Sequence, residues 1–202
     1  MVVGFIILAG LIVYLIISIV MIIFGVRHAR KKGFPGWKGG VLAAVVMYLL
    51  MFWDFIPFHI AHKYYCSTEG GFTLNKTLED WKQENPGVVE TLTHKKVSDH
   101  TKEGNKERYR LNQRFVWEIV TTRHFLGIRK SDNRVIDIGT GDILTQYVDF
   151  SSGQSSLEPD EFRDFKFWIY TNSCEPDGKK IDRGRYYDYK YRIKHIEEST
   201  ND

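Results

Sequence analysis

From Val2 to Val26 the chain carries no charged residue and is built mainly from Ile, Leu, Val and Phe. At about 1.5 Å rise per residue, twenty-odd such residues span roughly the 30 Å of bilayer hydrocarbon. A second run, Val41 to Ala61, contains only Asp54 as a certain charge. Residues 1–62 are therefore expected to form two transmembrane helices, about 2–26 and 41–61, joined by a loop over 27–40. A cleaved secretory signal fits the first run poorly. Such a signal places its cations before a short apolar core, whereas here they follow a long one.

The joining segment, "RHARKKGFPGWKGG", holds Arg27, Arg30, Lys31, Lys32 and Lys38 with no acid. Short loops rich in Lys and Arg stay on the cytoplasmic side. Both the N-terminus and everything after residue 62 are then expected on the far side. Gly33, Pro35, Gly36, Gly39 and Gly40 are read as the turn, and Trp37 suits the interface. Attraction of anionic lipid heads is a secondary effect of the same cations.

That orientation decides how to read the two cysteines, Cys66 and Cys174. In a cytosolic protein they would be reduced thiols; in an oxidising space a disulfide is the simplest expectation. Closing a loop of about 108 residues is worth roughly 4 to 5 kcal/mol in the chain-entropy description. Metal binding is not expected, because no CxxC pair or HExxH occurs and Cys174 has no His near it in sequence. No cofactor is expected either.

After His62 the composition turns polar, charged and aromatic, and residues 63–202 are long enough for one domain with its own core. Alternation through Phe72, Leu74 and Lys76 suggests a short strand. "TLEDWKQENPG" predicts a two-turn helix with Thr77 as N-cap, Asp80 three residues on, and Asn85-Pro86-Gly87 as its stop. "VSDHTKEGNKER" reads as an exposed loop. The stretch from Arg108 to Ser131 is β-rich, with turn chemistry at Ser131-Asp132-Asn133. Val135, Asp137 and Gly139 alternate into a turn at 139–142, followed by a strand from Ile143 to Phe150. A further strand is expected through Phe165, Phe167 and Ile169, and the tail from Tyr186 alternates Tyr with charge. The fold class is α+β: an N-terminal transmembrane helical hairpin followed by a mainly antiparallel β periplasmic domain with short helices.

Enzyme signatures are lacking. The glycines of "GTGD" have neither Walker nor GxGxxG spacing, and no GxSxG elbow occurs. His94, His100, His124 and His195 are scattered through polar surroundings. Nucleic acid is a poor partner on charge grounds. Of 28 Lys and Arg, five precede Lys63, and of 25 Asp and Glu only Asp54 does, which leaves the remainder near −1.

The motif "FWDFIP" places Asp54 inside the second apolar run. A charge at mid-bilayer costs at least a few kcal/mol and usually faces a partner or a cavity. Pro57 would free the carbonyl of Trp53 and bend the helix there. Two readings stand side by side. Either the hydrocarbon ends near Trp53 and the rest lies at the surface, or Asp54 is an intramembrane carboxylate that pairs with His59 or with a partner protein's helix. The candidate interaction residues are Trp53, Asp54, Pro57, His59 and His62.

"FWDFIP", "AHKYYCSTEGGF" and "KTLEDWKQENPG" together resemble a family of small two-helix bacterial envelope proteins, often prophage-encoded, some of them labelled superinfection exclusion protein A. The matching residues are Trp53, Asp54, Pro57, Tyr65, Cys66, Gly70, Gly71, Thr77 and Trp81. The resemblance covers residues 40 to 90 and brings no catalytic residues. It implies an inner-membrane protein whose partners are the lipid bilayer and another envelope or phage ejection protein, and which blocks entry of phage DNA. The alternatives are an assembly factor or accessory subunit of an envelope complex, and a periplasmic redox or enzymatic domain using Cys66 and Cys174.

Overall fold

A computed structural model describes residues 2–92, 99–153, 166–171, 173–174 and 179–196. The chain divides into two compact units, one of residues 1–57 with 155–169, the other of residues 58–154 with 170–202.

The first unit is built on α1 (Val2–Lys31) and α2 (Gly36–Phe52), with the start of α3 (Phe55–Thr68) and a 3₁₀ turn at Phe167–Ile169. The expected span 2–26 is part of a longer helix. Arg27, Arg30 and Lys31 complete the last turns of α1, Lys32 lies in the turn that follows, and Lys38 sits in the first turn of α2. The expected loop 27–40 shrinks to residues 32–35, because only Gly33 (φ +78°) and Pro35 are needed to reverse the chain. Gly36, Gly39 and Gly40 are helical instead, and their missing side chains let α2 approach α1. A methyl group at Gly25 or Gly39 would strike the other's carbonyl oxygen, as small residues at close helix crossings require. The Tyr14 hydroxyl donates to the Met47 carbonyl, and its ring meets Phe52 edge-on.

Leu8–Lys31 is long and apolar enough to cross a membrane, with a mean hydropathy of 2.8 over an 18-residue window. The run expected as a second continuous helix, 41–61, is broken at Trp53-Asp54. Pro57 explains the break. It cannot donate a helical hydrogen bond to the Trp53 carbonyl, whereas in the first turn of α3 its missing N–H costs nothing. With 17 residues α2 is only about 26 Å long, and a second span exists only if α2 and α3 count as one broken span.

The second unit carries one antiparallel sheet of six strands in the order β1-β6-β5-β4-β3-β2. These are β1 (Gly71–Leu74), β2 (His100–Glu103), β3 (Lys106–Arg110), β4 (Phe115–Arg123), β5 (Arg129–Asp137) and β6 (Ile143–Ser151). The α+β class and the antiparallel sheet are as expected. The helix over 78–84, α4, starts as predicted. The Asp80 N–H donates to Thr77 Oγ1 at 3.1 Å while the Thr77 hydroxyl donates to the Asp80 carboxylate at 2.7 Å. The turn over 139–142 and the strand after it also stand where expected.

Four expectations fail. Residues 100–107, read as loop, form β2 and the start of β3, a hairpin around Gly104 (φ +59°) and Asn105. All four β2 residues are exposed, so no apolar alternation marks the strand. Ser131-Asp132-Asn133 make no turn, because they lie inside β5, between β4 and β6. Asp132 accepts from Arg134 and Gln146, and Asn133 donates to the Tyr147 carbonyl. These bonds remove the cost of burying two turn-forming residues in a central strand. Phe167 and Ile169 sit in the 3₁₀ turn and not in a strand, while Phe165 lies outside the described residues. The Tyr-rich tail forms a 16-residue helix, α5 (Lys179–Lys194). Its buried Tyr186, Tyr189 and Ile193 recur at helical spacing and cover the sheet.

The core lies between one sheet face, α4 and α5, and packs Leu78, Trp81, Phe115, Val135, Leu144 and Tyr147 against that helix. At its centre Asp137 is fully buried. The Trp81 indole donates to it at 2.8 Å, the Gly139 N–H donates at 2.8 Å, and the Arg114 guanidinium pairs with it. A side chain at Gly139 would displace that guanidinium. Asn112 ties α5 in: its amide donates to the Ile193 carbonyl while its oxygen accepts from the Arg114 and Phe115 N–H groups.

Burial acts to raise the Asp137 carboxyl, but the hydrogen bonds from Trp81 and Gly139 and the Arg114 charge outweigh it, and the group sits below the ordinary carboxylate range. A folded-state value below the unfolded one gives stability that is present above about pH 4 and is lost as pH falls through the folded value. Asp137→Ala, which strands Arg114, is expected to cost about 3–5 kcal/mol, read as a shift in denaturant midpoint. Asp137→Asn should cost less and flatten the acid limb of stability against pH; an unchanged acid limb would contradict this role.

Candidate functional site

The five residues of the "FWDFIP" reading fall into both units. Trp53, Asp54 and Pro57 belong to the first, and His59 and His62 to the second. Trp53 and Pro57 are exposed, while Asp54 keeps only 5 % of its surface.

Asp54 follows the last turn of α2, where the helix stops and backbone groups lose their partners. Its carboxylate is met by a segment 112 residues further along the chain. Lys166 Nζ donates to Oδ2 at 2.6 Å and the Trp168 indole donates to Oδ1 at 2.9 Å. Trp168 also stands edge-on to Phe52, with ring centroids 4.9 Å apart, and the Lys166 ammonium lies 5.9 Å from the Trp53 ring centre. Both oxygens are therefore engaged, one by a charge and one by a neutral donor within an aromatic surround. The arrangement neutralises a carboxylate where water is scarce, which makes the pair a latch on the helix break. Neither Lys166 nor Trp168 was connected with Asp54 in the sequence. The only signal available was a Lys and a Trp in an aromatic run far from the apolar helices.

In the second unit the structure bonds Cys66 of α3 to Cys174. His62 lies one helical turn before Cys66, with Nε2 3.7 Å from its sulfur. The same nitrogen is 3.0 Å from the Phe150 carbonyl oxygen, which only accepts, so Nε2 carries the proton. Asp149 Oδ1 accepts from the Cys174 N–H at 2.8 Å and from the Phe150 N–H at 2.9 Å. Burial pushes the Asp149 carboxyl up from its usual range, against the pull of those two bonds. Tyr65 stacks on Phe150, and His124 stands beside both. Gly70 is packed against Cys174 Sγ and the Cys66 carbonyl, where no side chain fits without displacement.

Donor atoms of His62, Cys66 and Cys174 lie within 4.8 Å of one another. With the two sulfurs bonded to each other they are not thiolate ligands, so the arrangement is a pinned crosslink and not a metal centre. His59 contacts the neighbouring Phe58 ring edge-on. His100 stacks on Tyr109 of the facing strand and His195 on Tyr191 of α5, at centroid distances of 4.4 and 4.2 Å. His94 lies outside the described residues.

No family model matches the chain, and neither does a curated protein or a solved structure.

Two outcomes follow from this geometry. In a double-mutant cycle, Asp54→Asn and Lys166→Gln should be non-additive by about 0.5–3 kcal/mol, read from thermal melts of the detergent-solubilised chain. Additive losses would mean that the pair does not hold the break. Without reductant, Cys66 and Cys174 should both resist alkylation in the mature protein and become labelled together once reduced; ready labelling of either beforehand would exclude the crosslink.

Proposed function

We propose that this is an inner-membrane protein of a bacterial cell, anchored by α1 and by α2–α3 as a broken second span. The N-terminus and the second unit face the periplasm. The Cys66–Cys174 bond is the observation that carries this reading. A stable disulfide calls for an oxidising compartment. The five cations and absent acids of residues 27–40 independently favour a cytoplasmic position for that segment. Two unrelated physical signals thus support the same orientation.

On the far side of the membrane the second unit works as a docking module. Its partner is another envelope protein or a phage ejection protein, and its effect is exclusion of superinfecting phage DNA, as the resemblance around "FWDFIP" implies. A candidate contact is the β4–β5 connection, where Phe125 leaves 65 % of its surface exposed beside Leu126 at φ +55°. Non-glycine residues rarely hold that backbone region, and such positions cluster at sites of function; exposed aromatics are also frequent interface anchors. The near-neutral charge after residue 62 argues for a protein partner over DNA itself. Burial of both cysteines argues against the redox alternative, because thiol–disulfide exchange needs an accessible sulfur.

The test has two arms. A reporter active only in the periplasm, fused after Asp202, should be active, and its cytoplasmic counterpart silent. Related temperate phages should then plate less efficiently on cells carrying the gene, with adsorption unchanged, and Phe125→Ser should restore plating at normal protein abundance. Equal plating with and without the gene would sink the exclusion role. Co-purification of the chain with a resident envelope complex would then favour the accessory-subunit reading.

A further inference from the structure

Beside the Gly25–Gly39 crossing, α1 and α2 enclose a groove of about 550 Å³, within the range of roughly 300–1,000 Å³ typical of small-molecule sites. Its walls are apolar and come from both helices: Met21 and Phe24 on one side, Leu42 and Val46 on the other. One end differs. There Lys32 and Lys38 line the groove, together with His28, which stacks on Phe24. The first acid in the sequence is Asp54, so no carboxylate of residues 1–53 offsets these charges.

We propose that this groove holds an anionic phospholipid, its acyl chain along Phe24, Leu42 and Val46 and its headgroup on Lys32 and Lys38. The inference rests on the membrane reading given above and adds a defined site to it. Any basic loop gathers anionic lipid loosely through the surface potential, whereas a basic pocket between transmembrane helices holds one headgroup in place. The distinction lies in which cations line the groove. Lys32 and Lys38 do, while Arg27, Arg30 and Lys31 carry their charges outside it. The apolar walls select for a chain and the cations for an anion, and an anionic phospholipid satisfies both.

Native mass spectrometry of the full chain, released from detergent with phosphatidylglycerol or phosphatidylcholine of the same acyl chains, tests this. The wild type should retain phosphatidylglycerol in preference to phosphatidylcholine. Lys32→Gln with Lys38→Gln should weaken that retention roughly thirtyfold, two charges at about 1 kcal/mol each. Arg27→Gln with Lys31→Gln removes the same charge outside the groove and should leave retention as in the wild type. Leu42→Trp should fill the groove and lose the lipid with every cation in place. Equal loss in the two double variants, equal retention of the two lipids, or a lipid-free dimer would each overturn the site. Alkaline carbonate extraction separates this failure from that of the membrane reading. A chain washed off the membrane overturns both, whereas a chain that stays integral without lipid preference overturns only the groove.

Discussion

Phe5, Leu15, Val20 and Phe24 on α1, and Leu42 and Leu50 on α2, each leave more than half of their surface uncovered. Among the described residues of α1, twelve large apolar side chains leave between 43 % and 77 % of their surface exposed. Fully burying such a side chain is worth about 1.5–3 kcal/mol, so covering the exposed half of a dozen is comparable with the roughly 5–15 kcal/mol that holds an ordinary domain together. No rearrangement of a two-helix pair can hide that surface, because each helix is apolar all round. The surroundings have to supply the cover, and the proposed bilayer does. The glycine contact between α1 and α2 follows from the same constraint. Where hydrocarbon surrounds the helices, apolar burial no longer favours their association, and close backbone packing takes its place.

The two units handle a buried carboxylate in the same way. Asp54 is held by a lysine and the indole of Trp168. Asp137 is held by an arginine and the indole of Trp81. In each case one oxygen meets a cation and the other a neutral donor whose ring also excludes water. A lone cation would leave one oxygen unsatisfied, and a lone indole would leave the charge uncompensated. Both carboxylates also mark a place where regular structure stops: the end of α2 for one, the end of β5 for the other. An acid placed there fixes a chain ending through distant partners.

How much of this was legible depended on periodicity. The strands on either side of 139–142 announced themselves by alternating apolar residues, and α4 by its Thr77 cap and Asn85-Pro86-Gly87 stop. The β2–β3 hairpin has no apolar face, so its sequence looks like any solvated loop; only Gly104 and Asn105 hinted at a tight turn. In α5 the Tyr residues at 186, 187, 189 and 191 mix an alternating pattern with a helical one. The helical set emerges only once Ile193 and Ile196 are counted with Tyr186 and Tyr189. Of the candidate sites, the Cys66–Cys174 pair was legible because two cysteines in one compartment leave a single pairing. The partners of Asp54 were not, because nothing local in a sequence tells a Lys166 that returns to the helix break from one that faces water.

All six strands lie between Cys66 and Cys174. The sheet therefore sits inside a covalent ring, and the chain enters and leaves that ring at one crosslinked point. Tension between α3 and the chain beyond Cys174 would pass through the sulfur–sulfur bond and bypass every strand. A protease cut anywhere in the ring would open a loop without releasing a fragment. Such a domain can be pulled or nicked and still remain a single covalent body.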